Sequence, residues 1–177
     1  MIVAIIGSRK RSTIKGNPKF QTLEKDAQKL LVKDGPRLID VCRNEYNLAD
    51  VDVLEKLVSR LKQTYKNGLS IVSVGCDDGI GLMTRAVCTQ QRIYFTEISC
   101  LFSAEKNRAP SEYAKFYTSR NASIVEVADE FYLLKADKEE RGVVDDLEKR
   151  LRALEEKDES RPFYIIQEDG TIAGEQK

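Results

Sequence analysis

At 177 residues the chain is long enough for one domain with a real core, and 29 Lys and Arg against 29 Asp and Glu leave no basic excess for coating nucleic acid. The four cysteines, Cys42, Cys76, Cys88 and Cys100, are widely spaced with no C-x-x-C pair, which argues against a disulfide framework or zinc site and points to a reduced, cytoplasmic chain. Histidine is absent, so Ser–His and Cys–His nucleophile pairs are excluded and acid–base chemistry falls to carboxylates, Lys, Tyr or Cys.

Ile2 to Ile6 is an apolar run too short for a secretory core, and it reads as a first buried strand. No apolar run approaches membrane-spanning length. The strand ends in Gly7-Ser8-Arg9-Lys10, opening a basic loop that either holds an anion or is a solvated turn. Leu23, Ala27, Leu30 and Leu31 predict a helix from about Phe20 to Lys33, stopped by Asp34-Gly35-Pro36. Arg37 to Tyr46 fits a short helix or a strand. Asp50 reads as an N-cap, and Val53, Leu54, Leu57, Val58, Leu61 and Tyr65 as one helical stripe closed by Asn67-Gly68. The span of about 20–66 is long for a β-α-β crossover, so part of it reads as a helical insertion that covers the site or packs on a partner.

Leu69 to Leu82, LSIVSVGCDDGIGL, carries the clearest signal. A β-branched run stops at Gly75, Cys76, Asp77 and Asp78 follow, and Gly79 and Gly81 lead into helical spacing on Leu82, Met83, Ala86 and Val87. A buried strand that breaks at glycine and re-enters a helix makes a phosphate site, because backbone approaches the ligand closely and the first helix N–H groups point at the anion. The plain alternative is an ordinary strand-to-helix turn. Arg92 to Ile98 is a third strand. Glu112 to Ser119 forms a helical turn or two with Tyr113, Phe116 and Tyr117. A turn, a short helix on Ile124 and Val125, and a fourth strand over Glu130 to Lys135 follow. Gly142 opens an amphipathic helix with Val143, Val144, Leu147, Leu151 and Leu154 inward. Phe163 to Ile166 is the last strand, Asp169-Gly170 turns the chain back, and residues from Thr171 onward read as a frayed tail.

This alternation predicts an α/β, Rossmann-like single domain: a mostly parallel sheet of about five strands with helices on both faces. Ligands of such sheets sit beyond the C-terminal strand ends where strand order reverses. The residue-7 and residue-75 bends are then expected to open on one edge and share one nucleotide-like ligand.

Three motifs, Gly7-Ser8-Arg9, Gly75-x-x-x-Gly79-Ile80, and Arg120-Asn121-x-x-Ile124-Val125-x-x-Ala128-Asp129, together resemble the SLOG superfamily over roughly residues 1–150. That group unites Smf/DprA DNA-processing proteins, Lonely Guy phosphoribohydrolases and small nucleotide-binding members. The resemblance implies a nucleotide site at those motifs and a homodimer or higher homo-oligomer. Two departures stand out. Where Lonely Guy enzymes carry P-G-G-x-G-T-x-x-E, this chain has Lys138-Glu139-Glu140-Arg141-Gly142-Val143-Val144-Asp145-Asp146, so only Gly142 matches and Asp146 stands in the glutamate's place. Gly81 stands where many members have Asp.

The leading expectation is a nucleotide or nucleoside-phosphate binder, whether sensor, scavenger or carrier, with no metal and no cofactor. Gly7, Ser8, Arg9, Gly75, Cys76, Asp77, Asp78, Gly79, Asn121 and Gly142 line the ligand, and Arg120 completes the charge. Arg9 is suited to a bidentate phosphate contact or is a surface cation. Asp77 and Asp78 cap the helix, accept a ribose hydroxyl or repel a second phosphate. Arg120 and Asn121 belong to the ligand site or a dimer contact; the plain reading makes Asn121 an N-cap. Tyr113, Phe116 and Tyr117 stack a base or are core. The alternative is an N-glycosidase on nucleoside monophosphates, with Glu97 and Asp146 as its carboxylates. The third is a DprA-like single-stranded DNA binder, for which GSRKRSTIK is the basic strip.

Overall fold

Runs rich in Ile, Val, Phe and Tyr become strands, and the 3.6-spaced runs between them become helices. In the computed structural model the described residues are 1–7, 39–40, 42–43, 48–66, 68–74, 79–100, 110–136, 142–167 and 170–173. Their elements are β1 (Ile2–Gly7), α1 (Leu48–Thr64), β2 (Ser70–Val74), α2 (Gly79–Gln91), β3 (Tyr94–Ile98), α3 (Pro110–Val127), β4 (Glu130–Leu134), α4 (Val143–Glu155), β5 (Phe163–Ile166) and β6 (Ile172–Ala173). The sheet runs β3-β2-β1-β4-β5-β6. Every neighbouring pair is parallel except β5–β6. Strand order reverses between β1 and β4, so the switch point of this mostly parallel, Rossmann-like sheet lies at the ends of those two strands.

Alternation along the central strands divides the core in two. Val3, Ile5 and Ile71 join one cluster with Leu54 and Val58 of α1 and Met83 and Val87 of α2. Ala4, Ile6, Val72 and Val74 join the other with Ile124 of α3 and Val144, Leu147 and Leu151 of α4. A strand buried on both sides reads as a continuous apolar run, as IVAII does. Each fully buried Ile contributes about 1.5–3 kcal/mol of burial.

Four expectations need correction. The predicted turn near Ser119 to Asn121 is absent, and α3 is one helix from Pro110 to Val127. Asn121 has a distant acceptor for its amide and no need to bond the local backbone, so its preference for caps is overridden. Arg161 closes the far end of this helix by donating to the carbonyls of Val125 and Ala128. Asp50 lies inside the first turn of α1, buried, and is not its N-cap. Helix α2 starts at Gly79, earlier than the apolar spacing from Leu82 suggests.

The fourth concerns the tail. The sheet has six strands, and Ile172–Ala173 pairs antiparallel with β5. The Gly170 N–H donates to the Gln167 carbonyl at 3.0 Å and the Gln167 N–H to the Thr171 carbonyl at 2.9 Å, so the chain reverses tightly. Ile172 then packs against the first core cluster. The expected helix from about Phe20 to Lys33 lies outside the described residues, while the apolar stripe from Val53 to Leu61 lies on α1. Among the described residues no helix is long and apolar enough to cross a membrane.

Candidate functional site

The C-terminal edge of the sheet is built from the end of β1 outward. Gly7 pairs with Leu134 at the end of β4. A Cβ placed on Gly7 would lie 2.2 Å from the Cβ of Ile80, so the first turn of α2 rests directly on the last residue of β1. That approach demands glycine at position 7 from packing alone. Gly79 opens α2 with φ +63°, a conformation that side chains disfavour. The described flanks of the two glycine bends are therefore neighbours. Ser8, Arg9, Gly75, Cys76, Asp77 and Asp78 lie outside the described residues.

The richest polar arrangement joins α3 to the start of α4. Arg120 is 9% exposed and Asn121 3%. Arg120 donates from Nε (3.2 Å) and Nη2 (2.9 Å) to the same acceptor, Asn121 Oδ1. Asn121 Nδ2 donates to Asp146 Oδ2 at 2.8 Å. Arg150 Nε donates to that same oxygen at 2.8 Å. The orientation of the Asn121 amide is fixed chemically: its oxygen faces a guanidinium and its nitrogen a carboxylate. The Arg120 guanidinium also lies 5.2 Å from the centroid of the Tyr117 ring, in cation–π range. Two of its five N–H donors go to Asn121, and among the described residues Nη1 has no acceptor. From the described residues alone, this buried guanidinium receives only part of what water would give it.

The fold therefore brings together three candidate residues, Arg120, Asn121 and Asp146, through bonds that their spacing in sequence does not reveal. Asn121 spends both ends of its amide inside the protein. Tyr117 of the predicted stacking triplet presents its ring to Arg120. Gly142 precedes α4 with φ +156° and caps it with no side-chain bond; the Asp146 N–H donates to its carbonyl at 3.0 Å. Asp145 and Asp146 in that first turn each meet a cation one turn on, Lys149 at 2.9 Å and Arg150 at 2.8 Å.

The two proposed catalytic carboxylates stand on elements of different core clusters. Glu97 shares the side of β3 that carries Phe95, which packs against the first cluster, and lies 3.9 Å from Arg85 of α2. Asp146 sits on α4, whose apolar face belongs to the second cluster. Cys42 and Cys88 are no better as nucleophiles: burial pushes their thiols up to about 12.

Two polar groups escaped the sequence reading. Lys135, just past β4, pairs with Glu148 of α4, which Arg152 also contacts at 2.8 Å. Burial pushes the Glu148 carboxyl up, but the hydrogen bonds from Lys135 and Arg152 outweigh it and hold the group below the usual range. At the start of β4, Glu130 is buried and accepts hydrogen bonds from Tyr65 and, at 2.7 Å, from Tyr132, whose ring stacks on Tyr164 with centroids 4.9 Å apart. The available signal was a carboxylate at a strand start that alternates onto the same side as a tyrosine two residues later. No family model, curated protein or solved structure matches the chain.

Proposed function

We propose that this chain is a cytoplasmic, doubly wound Rossmann-like domain, helices over both faces of its sheet, that binds a nucleotide or nucleoside phosphate beyond the C-terminal ends of β1 and β4. The observation that carries the reading is Arg120: a buried guanidinium, one hydrogen-bonded residue from the first turn of α4, with N–H donors unspent among the described residues. A phosphate supplies both a countercharge and the acceptors that the described residues do not give this group. The glycines at 7 and 79 keep the backbone low on the same edge, and the SLOG resemblance points to the same residues. Binding alone satisfies this geometry; no reaction is required.

The test is a thermal-shift panel of mono-, di-, cyclic and dinucleotides on wild type and Arg120→Ala. A ligand at a hundredfold excess over its Kd stabilises the folded state by about 2.7 kcal/mol. The expected result is a shift in wild type for at least one nucleotide and its loss in a folded Arg120→Ala protein. No shift with any nucleotide, or an equal shift in the variant, overturns the reading.

A further inference from the structure

We infer that Asn121 and Asp146 are positioning residues: through them the chain fixes the plane of Arg120 so that its Nη1–Nη2 end forms a fork for one oxyanion. The inference rests on the phosphate-binding reading above and assigns these two residues a different task from the ligand contact and the catalytic carboxylate expected of them.

An arginine side chain has two edges that can grip an oxyanion in bidentate fashion, the Nε–Nη2 side and the Nη1–Nη2 end. Asn121 Oδ1 takes the side edge, at 3.2 Å and 2.9 Å. That leaves the end. A neutral amide oxygen is well chosen for this duty: it orients the guanidinium without cancelling its charge, whereas a carboxylate in the same place would form an internal ion pair and remove the demand for an anion. The amide itself can rotate, and a rotated amide would aim its NH2 at the guanidinium. Asp146 prevents this by accepting from Nδ2 at 2.8 Å, and Arg150 holds Asp146 from the other side at 2.8 Å. The relay Arg150–Asp146–Asn121–Arg120 alternates donor and acceptor along its length. It also crosses between α3 and α4, so the plane of Arg120 is set by the packing of two helices.

Isosteric substitutions separate orientation from charge. Asp146→Asn keeps an oxygen to accept from Asn121 and removes one negative charge; Asp146→Ala removes the same charge and the acceptor. Asn121→Asp keeps the acceptor for Arg120 but adds a charge that pairs with it. Affinity for inorganic phosphate and adenosine 5′-monophosphate is measured by titration calorimetry on each folded variant, with Arg120→Ala alongside. Expected are wild-type or tighter binding in Asp146→Asn, at least tenfold weaker binding in Asp146→Ala, and loss of binding in Asn121→Asp. The Asn variant thus rescues what the Ala variant loses, which charge alone cannot explain because both lose the same charge. Equal affinities in the two Asp146 variants overturn the positioning role, and this comparison stands even if Asn121→Asp fails to fold. If Arg120→Ala abolishes binding while the Asp146 variants match, the phosphate reading survives and the relay does not. If wild type binds neither probe, the fork has no oxyanion to hold and the positioning inference falls, while the nucleotide reading is decided by the wider thermal-shift panel.

Discussion

Gly7 shows how a motif residue can be fixed by packing before any ligand is considered. Its absent Cβ is the space that Ile80 occupies, 2.2 Å from Cβ and from Cγ1. Gly7→Ala should therefore destabilise the fold by about 2 kcal/mol or more, the range for overpacking a rigid core. Trimming the neighbour should not restore it, because the Cβ that alanine retains at position 80 is itself one of the clashing atoms. Urea denaturation of Gly7→Ala, Ile80→Ala and the double variant checks this; a double variant more stable than Gly7→Ala sinks the account. Tyr65 makes a second residue-scale case. Its phenol is pushed up to about 12, first by the hydrogen bond to Glu130 and then by burial. A pKa raised on folding marks stability that is fully present below the unfolded value near 10 and lost as pH climbs toward 12. Tyr65→Phe should cost about 1.5–3 kcal/mol at neutral pH, the range for a hydrogen bond to a charged group, and should remove one late-ionising tyrosine from an ultraviolet titration. A variant as stable as wild type would mean that Tyr132 serves Glu130 unaided.

At the scale of elements, α3 and α4 explain why the sequence was readable in one place and not in another. Helix α4 has an apolar row at 144, 147 and 151 that faces a core, so its period is plain. Helix α3 reads as two pieces in the sequence because residues 111–119 are all exposed or half-buried and follow no core. The helical spacing of Tyr113, Phe116 and Tyr117 stops short of Ile124, so local preference decides between them, and Ser119, Asn121 and Ser123 all favour breaks. The candidate site shared that fate. Arg120, Asn121 and Asp146 were singled out, but their bonding links positions 25 apart and depends on which side of the sheet each helix packs. The places of Glu97 and Asp146 were hidden for the same reason, since strand-end proximity in sequence does not say with which core cluster a residue's element packs. Helix α4 also carries a prediction. Glu148 is held below the usual carboxylate range by Lys135 and Arg152 against the opposing effect of burial. Such a depressed pKa contributes stability above the unfolded value near 4.3 that is lost as pH falls through the folded one. Glu148→Gln should accordingly be less stable than wild type at neutral pH, and the gap should close on acidification. A gap unchanged from pH 7 down to pH 3, followed by denaturation midpoints, would show that the ion pairs do not anchor α4 to the end of β4.

For the whole molecule, the decisive question is where the folded unit stops. Alternation of strands and helices was enough to read the parallel part of the sheet, because each of those strands is four or more residues long and rich in β-branched or aromatic side chains. The final strand was not readable: Ile172–Ala173 is two residues, and its value lies in what it covers. Ile166 and Ile172 are directly opposed across β5–β6, so their side chains share one side, and Ile166 is 1% exposed. The turn before it is also seated, since a Cβ on Gly170 would come 2.9 Å from Val53 of α1. Removing residues 168–177 uncovers Ile166 and part of α1 at once. Exposing one buried aliphatic side chain costs about 1.5–3 kcal/mol, and each kcal/mol shifts Tm by roughly 2–4 °C for a chain of this size. The truncated protein should melt roughly 3–12 °C lower. Its phosphate affinity should not change, because the hairpin packs with the first core cluster while Asn121 and Asp146 bridge helices of the second. A truncation that leaves Tm in place returns this segment to a frayed end. One that lowers Tm and also weakens phosphate binding would mean that the two clusters respond as one body to the loss of an edge strand.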